Sequence, residues 1–290
     1  MTAPDTAPDP QPTSGTDLPD TVDLRLVVAD MDGTLLDGDG RVPDALWPLL
    51  DRMRRRGVLL APASGRQYAN LRRMFARVAD GMPFIAENGT VVVLDGEVLS
   101  TSLLTWEVVE RIVATLRGAT VLHDIGLVLC TPSTAYVERH DERFLAQAHQ
   151  YYANLEQVDD VLATPADVIK IAVYDFGDAE TGVARGLGAF RATHQVAVSG
   201  RHWVDLMAQE ANKGLAVAAL QEHLGISRAQ TAVFGDYLND LELMDAGDLS
   251  FAMANAHPGI LATARYTAPP NTAGGVLTTV AALLDRAPRT

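Results

Sequence analysis

Residues 24–37 read LRLVVADMDGTLLD, and they decide the fold that we predict for the chain. The first six residues form a largely apolar run, which is typical of a strand buried on both faces in a parallel sheet. The run leads into Asp30 and Asp32, and side chains two residues apart in extended backbone point the same way. We therefore expect the two carboxylates to share one site at the strand end. Gly33 permits a tight turn after them, and Thr34 adds a hydroxyl.

Two neighbouring carboxylates repel each other, so one takes up a proton unless a cation lies between them. A site built only from oxygen atoms suits Mg²⁺, and an aspartate beside such an ion can attack phosphorus. The alternative is a strand end followed by a turn with solvated acids, because turns favour Asp. The choice depends on the motifs that follow downstream.

Composition narrows the class of protein. The 290 residues predict one large or two modest domains, and a hydrophobic content of 48% is sufficient for a real core. The net charge of −14 argues against nucleic acid and anionic membranes as partners. No apolar run approaches the roughly 18–20 residues of a membrane span. The single cysteine, Cys130, excludes an internal disulfide and fits the cytoplasm. Residues 1–20 are predicted to be a disordered tail.

A second strand, residues 58–62, follows a helix predicted for residues 44–56, which indicates a βαβ unit and a parallel sheet. The strand leads into Ser64-Gly65-Arg66, and a helix is predicted from about residue 67 to 79. A hydroxyl and free N–H groups at a helix start can bind an anion, although Ser64 could simply cap the helix. After a third strand at residues 83–86, Glu87-Asn88-Gly89 is typical of a turn.

From residue 91 the pattern changes to hairpins and helices, which predicts an inserted α+β domain over residues 91–208. Residues 21–90 and 209–290 would form the core domain. Within the insert we predict helices over 106–116, 141–151 and 180–192, and strands near 127–130, 135–138, 168–174, 195–198 and 203–207.

Two further groups of polar residues lie beyond the insert. Lys213 follows Asn212 at the start of a predicted helix, where a lysine could meet a phosphate or simply be solvated. Asp236, Asn239 and Asp240 follow a predicted strand at residues 229–234, and the carboxyl end of a parallel strand is where open α/β sheets bind ligands. A helix cap alone would account for one of these three residues, but not for the group.

These strings, in this order, resemble the motifs of the haloacid dehalogenase (HAD) superfamily: DxDGT[LV], a Ser or Thr after the second strand, (S/N)KG and GDxxND. Ser64-Gly65-Arg66 and Glu87-Asn88-Gly89 are similar to the TGR and ENG of the Cof-like subfamily IIB, with Ser in place of the commoner Thr. The resemblance implies a doubly wound, parallel-sheet, Rossmann-like α/β core. It also implies that the insert is a cap domain of type C2B.

The resemblance also implies roles for the residues. Asp30 would be the nucleophile and bind Mg²⁺, and Asp32 would bind it through its backbone carbonyl while its side chain acts as acid and base. Asp236 would be the third ligand. The other residues are expected to hold or orient the substrate: Ser64 and Lys213 as catalytic groups on the phosphoryl oxygens, and Gly65, Arg66, Asn88, Asn239 and Asp240 as binding groups.

The implied function is a Mg²⁺-dependent phosphomonoester phosphatase that forms an aspartyl phosphate on a small soluble metabolite, with a sugar phosphate preferred. A phosphohexomutase, an FMN or pyridoxal phosphate phosphatase, and a non-enzymatic phosphoacceptor module are the alternatives. The module is disfavoured, because such proteins are smaller and carry no cap. Neither the oligomeric state nor the substrate is specified, and the polar candidates within the insert stay unassigned: His123, Asp124, Arg139, His140, Arg201 and His202.

Overall fold

A computed structural model describes residues 18–120, 123–164 and 167–286. Within them the strands are β1 Leu26–Asp30, β2 Leu59–Ala63, β3 Pro83–Ala86, β4 Val91–Leu94, β5 Glu97–Thr101, β6 Ile125–Cys130, β7 Ala135–Val137, β8 Leu155–Gln157, β9 Lys170–Asp175, β10 His194–Gly200, β11 Trp203–Ala208, β12 Thr231–Gly235, β13 Leu249–Met253 and β14 Tyr266–Ala268. The α-helices are α1 Leu46–Arg55, α2 Tyr68–Met74, α3 Trp106–Ala119, α4 Glu142–Ala148, α5 Val183–Gly186, α6 Lys213–Leu224, α7 Leu241–Met244, α8 Pro258–Thr263 and α9 Gly275–Arg286.

Eight strands form the core sheet in the order β14-β13-β12-β1-β2-β3-β4-β5. Strands β14 to β3 of this order are parallel, and β4 and β5 are antiparallel additions at one edge. All five residues of β1 are buried, as its apolar run predicts. The chain winds to one side of β1 through β2 and returns on its other side through β12. The predicted α/β class is confirmed, and the point where the winding reverses is where such sheets bind ligands.

The insert forms a second sheet of six strands in the order β10-β11-β9-β6-β7-β8. Its pairs are antiparallel except for β7 with β8. Apolar side chains of this sheet and of α3, including Val109, Ile112, Ile171 and Leu206, form a hydrophobic cluster of their own. Other side chains of the insert sheet, including Val128, Ala172 and Trp203, belong to the same hydrophobic cluster as the parallel sheet, so the insert packs on the core through one face.

The hairpin of β4 and β5 joins the core sheet, whereas the sequence pattern assigned residues from 91 onwards to the insert. β4 pairs with β3, with Phe84 opposite Val93 and Ala86 opposite Val91, so the hairpin extends the core sheet. Its local pattern identified a hairpin but contained no information about the strand on which it would pair. We therefore propose that the insert spans residues 102–208.

Several element boundaries also differ from the predictions. The helix expected over residues 180–192 is only α5 followed by a 3₁₀ turn at Gly188–Phe190, because Gly186 and Gly188 each cost about 1 kcal/mol in a helix. Helix α2 ends at Met74 rather than near residue 79, and β8 and α8 were not predicted. The predicted tail lies outside the described residues except for residues 18–20. No described helix is long and apolar enough to cross a membrane.

Candidate active site

The loop after β1 is fixed against the loop after β12. Gly33 adopts φ +81°, and a Cβ at this position would lie 2.3 Å from Oδ2 of Asp236. Thr34 donates its hydroxyl to Oδ1 of the same carboxylate over 3.0 Å. The glycine of the first motif is therefore required sterically, because a side chain there would displace Asp236.

Lys213 joins the two halves of the core domain. Its ammonium donates to Oδ1 of Asp30 over 2.5 Å and to Oδ1 of Asp240 over 2.6 Å, and its side chain is fully buried. Asn212 caps α6 by accepting from the N–H of Leu215, which places Lys213 in the first turn. The lysine is therefore a buried, ion-paired group and not a solvated surface residue.

Asp240 holds neighbouring groups of the site in position. Its Oδ2 accepts from the backbone N–H groups of Asp236 at 3.0 Å and Tyr237 at 3.3 Å, while its Oδ1 binds Lys213. With both oxygens engaged, Asp240 holds the loop after β12 in place and fixes the position of the Lys213 ammonium.

Burial dominates the electrostatics of these groups. Burial raises the pKa of Asp30 well above its ordinary value; Lys213 opposes the rise, whereas Asp240 and Asp236 add to it. Burial and the charge of Asp240 raise the pKa of Asp236 to about 7. For Lys213, burial lowers the pKa, but the carboxylates of Asp240 and Asp30 outweigh it and keep the lysine protonated. The described site thus has more buried acid than base, which is the condition that a bound cation relieves.

The acidic residues are arranged as a candidate cation site. Oxygen atoms of Asp30, Asp236 and Asp240 lie within 4.8 Å of one another. Because Asp240 already serves Lys213 and two backbone N–H groups, Asp30 and Asp236 are the carboxylates available to an ion. A set of oxygen donors fits Mg²⁺ better than a softer metal. The predicted contribution of the Asp32 backbone carbonyl stays a prediction.

Arg66 binds a protein carboxylate in this structure, although we predicted a contact with substrate. Its guanidinium donates to both oxygens of Asp32, over 2.9 Å and 2.5 Å, and also to the backbone carbonyl of Gln150 in the insert. It lies 4.7 Å from the ring centroid of Tyr151. This two-point contact fixes the orientation of the Asp32 side chain, which remains 42% exposed. The insert thereby touches the residue that positions Asp32.

Sequence reasoning missed a second buried ion cluster, which connects the insert to the core. Lys170 of β9 lies 2.5 Å from Glu87 and 3.2 Å from Asp205 of β11, and it donates to the carbonyl of Gly65 over 2.8 Å. All three charged side chains are buried. A lysine inside the apolar run of residues 168–173 was the available signal, because charged residues are almost never fully buried unless they are paired.

Two asparagines extend this cluster towards the cavity. Asn88 donates to Asp205 over 2.6 Å, and its carbonyl accepts from Asn239 over 2.9 Å. The adjoining Gly89 passes so close to α6 that a Cβ would lie 2.4 Å from the carbonyl of Asn212. The expected turn at residues 87–89 is therefore present, and it links Lys170, Asn239 and the start of the Lys213 helix.

A cavity of about 40 Å³ lies between the core and the insert. The core contributes Asp30, Asp32, Ser64, Gly65, Asp236, Tyr237 and Asn239, and the insert contributes Tyr151, Tyr152, Lys170, Ser199, Trp203 and Asp205. Six of the residues singled out in the sequence therefore line one cavity. Lys213, Asp240, Arg66 and Asn88 contact these lining residues from behind.

The six polar candidates within the insert do not line this cavity. Arg139 pairs with Asp124 and Asp141 on the surface, and a ring nitrogen of His140 lies 3.3 Å from the carbonyl of Val158. His202 stacks on Tyr174 beside Trp203. Three of the six insert residues that do reach the cavity, Tyr151, Tyr152 and Trp203, are aromatic, and the sequence analysis assigned them no role.

Comparison with known proteins identifies the family of the chain. A sequence model described as haloacid dehalogenase-like hydrolase matches residues 27–280. The chain is 29% identical to 5-amino-6-(5-phospho-D-ribitylamino)uracil phosphatase of Escherichia coli K12, over 88% of this chain and 94% of that one. It is 31% identical to HMP-PP phosphatase of Cronobacter sakazakii, over 82% and 87%.

Solved structures show the same fold. A Streptococcus mutans UA159 protein superposes with a TM-score of 0.84 at 22% identity, over 90% of this chain and 99% of that one. A sugar phosphatase of HAD subclass IIB gives 0.76 at 20% identity, over 89% and 98%. The chain belongs to the haloacid dehalogenase-like hydrolases. Within them it is a phosphatase of the Cof type, as its motifs predicted.

Proposed function

We propose that the chain is a Mg²⁺-dependent phosphomonoester phosphatase that forms an aspartyl phosphate on Asp30. One observation carries the proposal: the Asp30 carboxylate ends a buried strand, faces the cavity and has Lys213 on only one of its oxygens. The second oxygen is available to attack phosphorus. Ser64, also in the cavity, lies just beyond Ala63, the residue in register with Asp30, and is placed to donate to a phosphoryl oxygen.

The proposed reaction has two steps. In the first, an oxygen of Asp30 bonds to phosphorus while the bond to the alcohol oxygen breaks, and Asp32 gives that oxygen its proton. In the second, Asp32 takes a proton from water, the water oxygen bonds to phosphorus, and the Asp30 carboxylate leaves as inorganic phosphate forms. Arg66 keeps Asp32 in one orientation for both transfers.

Charge repulsion must be overcome for the first step. Unit charges about 4 Å apart repel by about 4 kcal/mol at an effective dielectric of 20, and a phosphate monoester carries nearly two negative charges. Lys213 supplies one fixed positive charge beside the nucleophile. A Mg²⁺ ion held by Asp30 and Asp236 would neutralise further negative charge on the phosphoryl oxygens.

A small phosphorylated metabolite is the proposed substrate, with a sugar phosphate as the first candidate. The insert partly covers the cavity, which disfavours a protein or nucleic acid, and the net charge of −14 also opposes a polyanion. A pyrimidine derivative is the second candidate. It is favoured by the three aromatic side chains among the insert residues that line the cavity and by the uracil derivative named for the Escherichia coli relative. The cytoplasm remains the proposed compartment.

The test is phosphate release from p-nitrophenyl phosphate and from a panel of sugar phosphates, FMN and pyridoxal phosphate. Asp30→Asn should abolish turnover without unfolding the protein, since it preserves shape and removes the nucleophile. The exposed Asp51→Asn is the matched control. EDTA should remove the activity and Mg²⁺ should restore it. Retention of a tenth of wild-type turnover by purified Asp30→Asn would refute the covalent mechanism.

A further inference from the structure

The cations that adjoin the cavity are already paired with carboxylates. Lys213 binds Asp30 and Asp240, and Arg66 binds Asp32 through two hydrogen bonds. Lys170, the only cation among the described cavity-lining residues, lies between Glu87 and Asp205. A phosphoryl group would compete for the first of these, beside the nucleophile. A second anionic group on the same substrate would meet no unpaired cation among the described residues of this cavity.

The insert wall, meaning the described insert residues that line the cavity, contains no unpaired positive charge. Asp205 lines the cavity and is 2% exposed, and Lys170, which pairs with it, is 1% exposed. Glu87 adds a second carboxyl to the same lysine from behind the wall. Two acids therefore share one buried base, and the group is at best neutral towards the cavity.

The polar atoms of this wall suit hydroxyl groups. Ser199 donates its proton to Asp205 over 2.5 Å, so the serine oxygen presents only lone pairs to its surroundings. Asp205 itself can only accept; its Oδ2 already accepts from Ser199 and Asn88, which leaves Oδ1, beside Lys170, as its remaining acceptor. A leaving group with O–H or N–H donors would bond to these acceptors, whereas a carboxylate or phosphate would place its lone pairs against them. The faces of Tyr151, Tyr152 and Trp203 complete the wall and suit an uncharged carbon skeleton or ring.

We propose that this wall selects phosphomonoesters whose leaving alcohol is uncharged and rich in hydrogen-bond donors, and discriminates against esters carrying a second carboxylate or phosphate. Asp205 is the residue that sets this preference. The inference rests on the proposed phosphatase function and adds the charge class of its substrate. It also separates this chain from a phosphatase that acts on diphosphate esters, for which the wall would need a free cation.

The test compares matched substrates that differ in one carboxylate. Glycerol 3-phosphate is paired with 3-phosphoglycerate, and sorbitol 6-phosphate with 6-phosphogluconate, at one ionic strength and saturating Mg²⁺. We expect kcat/KM to favour the neutral member of each pair at least tenfold, equivalent to about 1.4 kcal/mol. Equal values, or a preference for the carboxylates, would overturn the inference. Phosphate release from p-nitrophenyl phosphate is measured alongside; if no ester is hydrolysed, the proposed function itself has failed.

The Asp205→Asn variant assigns the preference to the wall. It frees one pairing position of Lys170, so the ratio of neutral to anionic substrate should fall at least threefold. The exposed Glu156→Gln, which removes one insert charge away from the cavity, should leave the ratio unchanged. A folded Asp205→Asn with the wild-type ratio would contradict the role of Asp205. If that variant does not fold, Ser199→Ala removes both the acceptor oxygen and its hydrogen bond to Asp205. This variant should lower kcat/KM for sorbitol 6-phosphate more than for p-nitrophenyl phosphate, and equal effects on the two substrates would contradict the role of the wall.

Discussion

Replacing Lys213 by Met tests how the buried triad of Asp30, Lys213 and Asp240 is balanced. The variant removes the only base that contacts either carboxylate among the described residues and leaves two buried acids facing each other. Removing one partner of a buried ion pair costs about 3–5 kcal/mol, because the remaining charge stays uncompensated. We expect a loss of this size in the free energy of unfolding at pH 7.5, measured by urea titration in EDTA.

The loss should be smaller at acidic pH. Since burial raises the pKa of Asp30, this carboxyl takes up a proton readily once the lysine is gone and thereby removes one of the two charges. The difference between Lys213→Met and wild type should therefore shrink between pH 7.5 and pH 5.5. Turnover of p-nitrophenyl phosphate should fall about 10²–10³-fold at either pH, as expected when a fixed positive group next to a reacting phosphate is removed.

The double variant Lys213→Met, Asp240→Asn separates stability from catalysis. It removes one of the two carboxylate charges that the single variant leaves uncompensated, while the amide oxygen introduced at position 240 can still accept from a backbone N–H. The double variant should therefore recover stability relative to the single variant and no activity. A single variant within 1 kcal/mol of wild type, or a double variant no more stable than the single one, would refute the view that Lys213 compensates both acids.

Three further outcomes follow from the same site. Asp32→Asn should slow both the formation and the hydrolysis of the aspartyl phosphate in single-turnover experiments, because one carboxyl serves both steps; two wild-type rates would remove Asp32 from the mechanism. Arg66→Gln should lower kcat more than it raises KM, since the guanidinium holds Asp32. A variant in which only KM changes would indicate that Arg66 binds substrate instead. Asp236 has a pKa raised from 3.8 to about 7, so its ionisation destabilises the metal-free protein as pH rises through this interval, by up to about 4 kcal/mol. In EDTA, Asp236→Asn should flatten the pH dependence of the free energy of unfolding. Mg²⁺ should raise the melting temperature of the wild type more at pH 8 than at pH 6. An Asp236→Asn protein with the wild-type pH profile would show that another group titrates.

The parts of the site that sequence could predict are those encoded locally. Asp30 and Asp32 follow a buried strand, and Lys213 follows its own helix cap, so a short string contains both the residue and its placement. The order of β1, β2 and β12 then brings the strings together by the rules of parallel sheets. These features require no knowledge of side-chain contacts.

The parts that could not be predicted depend on choices between distant partners. Arg66 could bind either a substrate phosphate or Asp32, and only the position of Gln150 and Tyr151 above it favours Asp32. Lys170 is 83 residues from Glu87 in sequence (170 − 87), and nothing near either residue identifies the other. The pairing partner of the β4–β5 hairpin could not be predicted for the same reason, since its local pattern was compatible with either sheet.

The small size of the cavity sets a mechanical condition on every catalytic cycle. About 40 Å³ is room for a few water molecules and not for a phosphorylated sugar, so we expect the insert to move away from the core when substrate enters. Lifting separates Lys170 from the Gly65 carbonyl and Tyr151 from the backbone of Gln67. For substrates that react quickly, we expect this movement to limit turnover, so that kcat depends on the viscosity of the solvent. Added sucrose or glycerol would slow good substrates in proportion to viscosity and leave poor substrates nearly unaffected.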